Sequence, residues 1–196
     1  MTTEIKKWLL AIMAGTAVGI LFGVPFVKPA AATAPLQIDL VGSSETVQVA
    51  YETPIGARLD DYIANRSFTI NGDTRKVLFM HPPSSASFSL LLPSESASLR
   101  FGIAIQPEAW SKPGDGVDFD VHVKHWDKAA RRAESDALFS QYIDPKHNAS
   151  QRRWLDVAVD LSHFGGEWVT LVFSTSPHAS PDYDWAGWSG LIVMGR

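Results

Sequence analysis

Residues 117–124 read VDFDVHVK, and every second side chain is apolar. On an extended strand Val117, Phe119, Val121 and Val123 share one face, and Asp118, Asp120, His122 and Lys124 share the other. The pattern recurs in WLDVAVDL, with Leu155, Val157, Val159 and Leu161 inward, and in EWVTLVFS, with Val169, Leu171 and Phe173 inward. Such alternation belongs to antiparallel sheets with one buried face. Thr46–Tyr51, Arg75–Met80, Ala86–Leu92 and Ser98–Ile105 are further short runs rich in β-branched and aromatic residues, each bounded by turn residues. Helical spacing is confined to Asp127–Gln141, where a strand near Ala137–Ile143 fits better. Roughly eight strands and almost no helix predict a mainly β chain, an antiparallel two-sheet β-sandwich of the jelly-roll kind. With 196 residues, 45% of them hydrophobic, the chain can bury one sizeable core.

The amino-terminal segment reads differently. Trp8–Val27 is twenty residues without a charge, which as a helix spans about 30 Å, the thickness of bilayer hydrocarbon. Lys6 and Lys7 precede it, so the positive-inside rule sets the N-terminus in the cytoplasm and the rest outside. The expected organisation is a transmembrane helix over 1–28, an Ala/Pro-rich linker over 29–36 and a periplasmic or extracytoplasmic sandwich over 37–196, at a bacterial inner membrane. A cleaved signal peptide competes, because Ala30–Ala34 offers small-residue cleavage sites, but the apolar run is long for one. Within the run Ala11, Gly15, Gly19 and Gly23 recur every four residues, a smooth stripe on which another helix can pack closely.

From about Phe88 onward the order of features resembles the jelly-roll carbohydrate-binding-module-like superfamily. It is most similar to the galactose-binding-like modules of the NPCBM type found beside glycosidases. The pieces that match are LRFGIAI, GDGVDFDVHV, LFSQYIDP, RRWLDVAVDLSHFGGEWVTLVFST and DYDWAGWSGLIV. The resemblance implies that Asp184 fixes the turn before the last strand by bonding backbone amides and that Trp185 packs inward. Trp188 is then the freer tryptophan.

No catalytic constellation accompanies this scaffold. The chain has no Gly-x-Ser-x-Gly elbow, no His-Glu-x-x-His and no phosphate-cradling glycine loop, and His122 and His125 fall on opposite faces of a strand. The reading is therefore not an enzyme, and no cofactor is called for. Without cysteine there is no disulfide, thiolate zinc site or cysteine nucleophile. A net charge of -4, without any run of five like charges, gives no reason to expect nucleic acid as a partner. Asp115, Asp182 and Asp184 form a weak candidate set for calcium. Trp154, Trp168 and Trp188 are candidates for exposed indoles that contact a protein partner or stack on sugar.

Two functions follow. In the first, the chain is a non-catalytic, single-pass accessory subunit whose helix and outer domain contact the lipid bilayer and other membrane-protein subunits, with a phototrophic reaction-centre–antenna complex as one such assembly. In the second, it is a membrane-tethered carbohydrate-binding module with a glycan as partner. The three tryptophans discriminate: one open groove favours sugar, and an outward patch favours a protein.

Overall fold

The computed structural model describes residues 35–42 and 46–196, and eleven strands carry most of them. They are β1 (Leu36–Asp39), β2 (Gln48–Glu52), β3 (Ile63–Ile70), β4 (Asp73–Met80), β5 (Ser84–Leu91) and β6 (Ser98–Ile105), followed by β7 (Val117–Asp127), β8 (Arg132–Ile143), β9 (Leu155–Asp160), β10 (Trp168–Pro177) and β11 (Ala186–Gly195). Six of them form a sheet in the order β3-β4-β11-β6-β9, with β1 also on β11; the other five follow β2-β5-β10-β7-β8. Every pairing is antiparallel. The stretch with helical spacing is the β7–β8 hairpin, so the strand expected from Ala137 begins five residues earlier, at Arg132.

The anchor expected over 1–28, with Ala11, Gly15, Gly19 and Gly23, lies outside the described residues, as does the linker before Pro35. Among the described residues no helix is long and apolar enough to cross a membrane.

The period-two pattern closes the sandwich. Val117, Phe119, Val121 and Val123 are all fully buried, and so are Leu171 and Phe173 on the neighbouring strand. At the centre, the Trp188 indole meets the rings of Phe119 and Phe173 at 5.1 Å each and Phe101 at 5.5 Å, in tilted and edge-on geometries that suit the ring quadrupoles.

A second apolar layer lies on the opposite face of the six-stranded sheet. Leu78 and Met80 point into the main core, whereas their neighbours Val77 and Phe79 join Phe68, Ile70, Ala104 and Trp154 in a separate cluster. Opposite parity on one strand means opposite faces. Trp110 and Trp185 lean against this layer. Half of the sheet's outer face is thereby covered, and the other half stays open.

The open half owes its shape to β11. Over Ala186–Ser189 this strand pairs with β4, and over Ile192–Gly195 it pairs with β1. At the handover the pairing with β6 slips between Ser189 and Ile192, and Gly190 adopts φ +57°. An extra residue in one strand is a bulge, and a left-handed residue there favours glycine. The slip reverses the facing, so Ala186 and Trp188 point inward before it and Leu191 and Val193 after it.

Candidate functional site

The slip leaves a cleft on the six-stranded sheet. One hollow of about 570 Å³ is lined by Arg75, Arg100, Gly102, Asp156, Ser189 and their neighbours. A second, of about 630 Å³, adjoins it, shares Lys76 and Gly190 with it, and reaches Asp39, Asn65, Arg66 and Trp188. Both volumes fall within the usual range for ligand sites.

Three polar side chains meet at one point of the first hollow. Gly102 lies opposite Ser189 on β11 and opposite Asp156 on β9. A Cβ on Gly102 would stand 2.6 Å from Ser189 Oγ, 2.9 Å from Arg75 Nη1 and 2.9 Å from Asp156 Oδ1. The missing side chain is what lets these groups approach one another. Arg75 is held firmly: Nη1 donates to Asp156 Oδ1, Nη2 to Asp156 Oδ2 at 3.2 Å, and Nε to Asp73 Oδ2 at 2.9 Å. Its guanidinium also lies 4.8 Å from the ring centroid of Trp154. Hydrogen bonding to Asp156 keeps the Arg75 pKa above the ordinary arginine value, so the group is always charged. The site thus offers a fixed donor fork, a carboxylate acceptor and the Ser189 hydroxyl, which donates to Gly102 O at 3.3 Å and keeps its lone pairs to accept.

The residues expected from the sequence lie elsewhere. Trp188 is fully buried, so the expectation that it is the exposed member of its pair is corrected. It shares its facing with Ala186, while Trp185, the residue just before the strand, is half-buried beside Tyr183 and packs against both apolar layers. Trp154 does leave the space between the sheets, as its alternation requires. It is nonetheless 8% exposed, because Phe68 stacks on it at 6.4 Å and Asp73 O accepts its indole N–H at 3.2 Å. Trp168 stands in solvent at 64% exposure. The three tryptophans therefore share no groove.

Trp168 has a neighbour that was not singled out. The β7–β10 register pairs Lys124 with Thr170, and carried two residues further it sets Trp126 level with Trp168, which itself faces Leu91 on β5. Trp126 is 57% exposed. Its signal was present in the sequence, since it continues the outward series from Asp118 to Lys124.

The calcium set does not assemble. Among the described residues no three carboxylate or imidazole groups come together as metal donors. Asp115 Oδ2 is occupied by the backbone N–H groups of Ala179 and Ser180 at 2.9 and 3.1 Å, and Asp182 lies exposed. Asp184 is buried under the 114–116 turn, where the Gly116 N–H is directed at its carboxyl group while Oδ2 has no partner. Burial first, and then the Asp115 carboxylate, push its pKa up to about 7.

No family model matches the chain. An uncharacterised protein of Archaeoglobus fulgidus is 41% identical over 127 residues, covering 61% of this chain and 30% of that protein. The chain thus spans less than a third of the relative's length. Among solved structures, the CBM51 module of Clostridium perfringens GH95, solved with methyl-galactose, matches 81% of this chain and 99% of its own at a TM-score of 0.50 and 13% identity. The chain shares the β-sandwich fold of that module. The C-terminal family 22 carbohydrate-binding module of Clostridium thermocellum Xyn10B matches 82% of this chain and 92% of its own, at a TM-score of 0.49 and 10% identity. At such identities the likeness is one of fold.

Proposed function

We propose that the sandwich is a non-catalytic glycan-binding module and that the cleft on its six-stranded sheet holds the sugar. The convergence over Gly102 carries this reading. A sugar hydroxyl both donates and accepts, and the Arg75 fork, the Asp156 carboxylate and the Ser189 hydroxyl supply both partners within about 3 Å of one point. The fold shared with a module solved with methyl-galactose supports it. The accessory-subunit reading drew on the small-residue stripe from Ala11 to Gly23, which lies outside the described residues, and on surface tryptophans, of which Trp154 and Trp188 are buried. Neither the fold nor the comparisons bear on membrane-protein partners or a photosynthetic assembly.

Titration of the purified chain against a panel of neutral and acidic oligosaccharides tests the proposal. Asp156→Ala removes the acceptor and should weaken binding about tenfold or more, a loss of about 1.4 kcal/mol. Its melting temperature should stay within a few degrees, because Asp156 is an exposed partner. Binding unchanged in Asp156→Ala would move the site elsewhere, and no binding across the panel would end the reading. We further propose, on the uncharged run Trp8–Val27 alone, that a membrane tether holds the module outside the cytoplasm. Protease added to spheroplasts, whose outer envelope has been opened, should then degrade the module, and full protection in spheroplasts with degradation after lysis would refute the placement.

A further inference from the structure

The charges around the cleft are unevenly matched. Its acids are engaged: Asp156 holds Arg75, and Asp39 Oδ1 accepts the backbone N–H groups of Val41 and Gly42 at 3.0 and 3.2 Å. Three of its cations are not. Among the described residues Arg66, Lys76 and Arg100 line the two hollows and form no salt bridge. Arg66 is nevertheless fixed, with its guanidinium 3.5 Å from the centroid of the Phe79 ring. All three side chains are solvent-exposed and free to meet a ligand.

Their positions follow from the pairing. Lys76 sits on β4 and Arg100 on β6, the two strands that flank β11, which sets their Cα atoms about two strand spacings apart, or ~10 Å. Arg100 projects on the outer face with Gly102, whereas Lys76 has the parity of Leu78 and lines the hollows from the rim they share. Arg66, on β3, faces Val77 and extends the row outward. The chain as a whole carries -4, so three unneutralised cations gathered round one cleft run against its overall sign. A neutral sugar entering here would strip water from these groups and return nothing for the charge. A sugar with a negative group on successive residues would meet a cation on either side of β11.

Resting on the reading of the cleft as a glycan site, we propose that its ligand is an acidic polysaccharide, one bearing carboxylate or sulfate groups, recognised by Lys76, Arg100 and Arg66. Arg75 is set apart from that role because its charge is already matched by Asp73 and Asp156, although a remaining N–H of its fork can still meet a hydroxyl. The exposed position of the three cations implies binding that is strongly salt-dependent, since the Debye length falls from about 10 Å at 0.1 M salt to about 3 Å at 1 M.

Affinity electrophoresis and calorimetry of the full chain decide it, with polygalacturonate, the same polymer fully methyl-esterified, dextran sulfate, dextran and neutral galactan as probes. The expected result is binding to an acidic polymer at least tenfold tighter than to its uncharged counterpart, lost about tenfold in the Lys76→Gln/Arg100→Gln double variant and weakened by salt. Lys124→Gln, a charge change on the other sheet's outer face, should leave binding unaltered. Preference for polygalacturonate assigns a carboxylate and preference for dextran sulfate a sulfate; either supports the inference. Equal, salt-independent binding of the esterified and acidic polymers overturns the inference and leaves the glycan site standing. So does acidic-polymer binding that survives the double variant. If no polymer of either kind binds, the glycan reading falls with it.

Discussion

Replacing Asp184 by Asn should change the stability of the sandwich in a pH-dependent way. Asp184 is 1% exposed, and its pKa rises from an ordinary 3.8 to about 7. Burial is the leading cause; Asp115, Asp182 and Asp144 add repulsion, and the Gly116 N–H works against them. Below pH 3.8 the folded and unfolded chains both carry the proton. Between 3.8 and about 7 the folded chain keeps a proton that the unfolded chain has released, so stability declines as pH rises and the loss is complete above about 7. Each pKa unit corresponds to about 1.4 kcal/mol. The group lies under surface turns, beside a crevice of about 10 Å³, room for roughly one water, rather than between the sheets. Solvent there reduces the full effect to on the order of 2 kcal/mol. His81, whose Nδ1 lies 3.3 Å from Asp184 O, is held below its usual value by burial and gives the opposite trend as pH falls through 6.5. That contribution is common to both proteins and cancels in their difference. Asn cannot titrate. Asp184→Asn should therefore gain on the parent by on the order of 1 kcal/mol between pH 5 and pH 8, the part of the effect that falls in this window, or about 2–4 °C in melting temperature. Urea and thermal unfolding at pH 5, 6, 7 and 8 measure it. A stability difference that stays flat across this range would show that Asp184 ionises normally and that its burial carries no electrostatic cost.

Other variants address the cleft and the core. Gly102→Ala places a methyl group 2.6 Å from Ser189 Oγ and should abolish glycan binding while costing roughly 1–3 kcal/mol, read by calorimetry and thermal unfolding together. Trp188→Ala empties the centre of the sandwich and should cost about 3–5 kcal/mol, whereas a melting temperature within 2 °C of the parent would contradict its burial. Trp168→Ala and Trp126→Ala should each shift stability by no more than about 0.5 kcal/mol. A tenfold loss of glycan binding in either would locate the site on the five-stranded sheet instead.

Much of the scaffold was legible because period-two alternation is local. Val117, Phe119, Val121 and Val123 announce their buried face without reference to any other strand. Within DYDWAGWSG the reading of Trp188 as the freer tryptophan failed for a reason of the same kind. Trp185 does pack half-buried against the core, but the phase of β11 is set by Ala186 and Trp188, and it reverses at a bulge that only the pairing with β6 reveals. Trp154 shows another limit. Its outward direction was readable, whereas the layer of Phe68, Ile70, Val77 and Phe79 that covers it comes from strands far earlier in the chain. The cleft was not readable at all. Arg75 and Asp156 are 81 residues apart, each an ordinary polar position on its own strand, and only the order β4-β11-β6-β9 brings them over Gly102.

That same order explains why the cleft is suited to a ligand before one arrives. A binding site made of long polar side chains loses affinity to the ordering of those side chains, about 0.5–1.5 kcal/mol for each one immobilised. Here the longest of the converging groups is ordered in advance: Asp73 and Asp156 hold the Arg75 guanidinium from two strands, and the Trp154 ring lies beside it. Trp154 is in turn fixed by Phe68 and by its bond to Asp73 O. The covered half of the sheet's outer face thus supports the open half. This dependence can be measured, because Trp154→Phe removes the bond to Asp73 while retaining an aromatic ring. It should weaken glycan binding several-fold through a looser Arg75, with the fold intact. If Trp154→Phe binds as tightly as the parent, the arginine is held by its carboxylates alone and the second layer serves stability only.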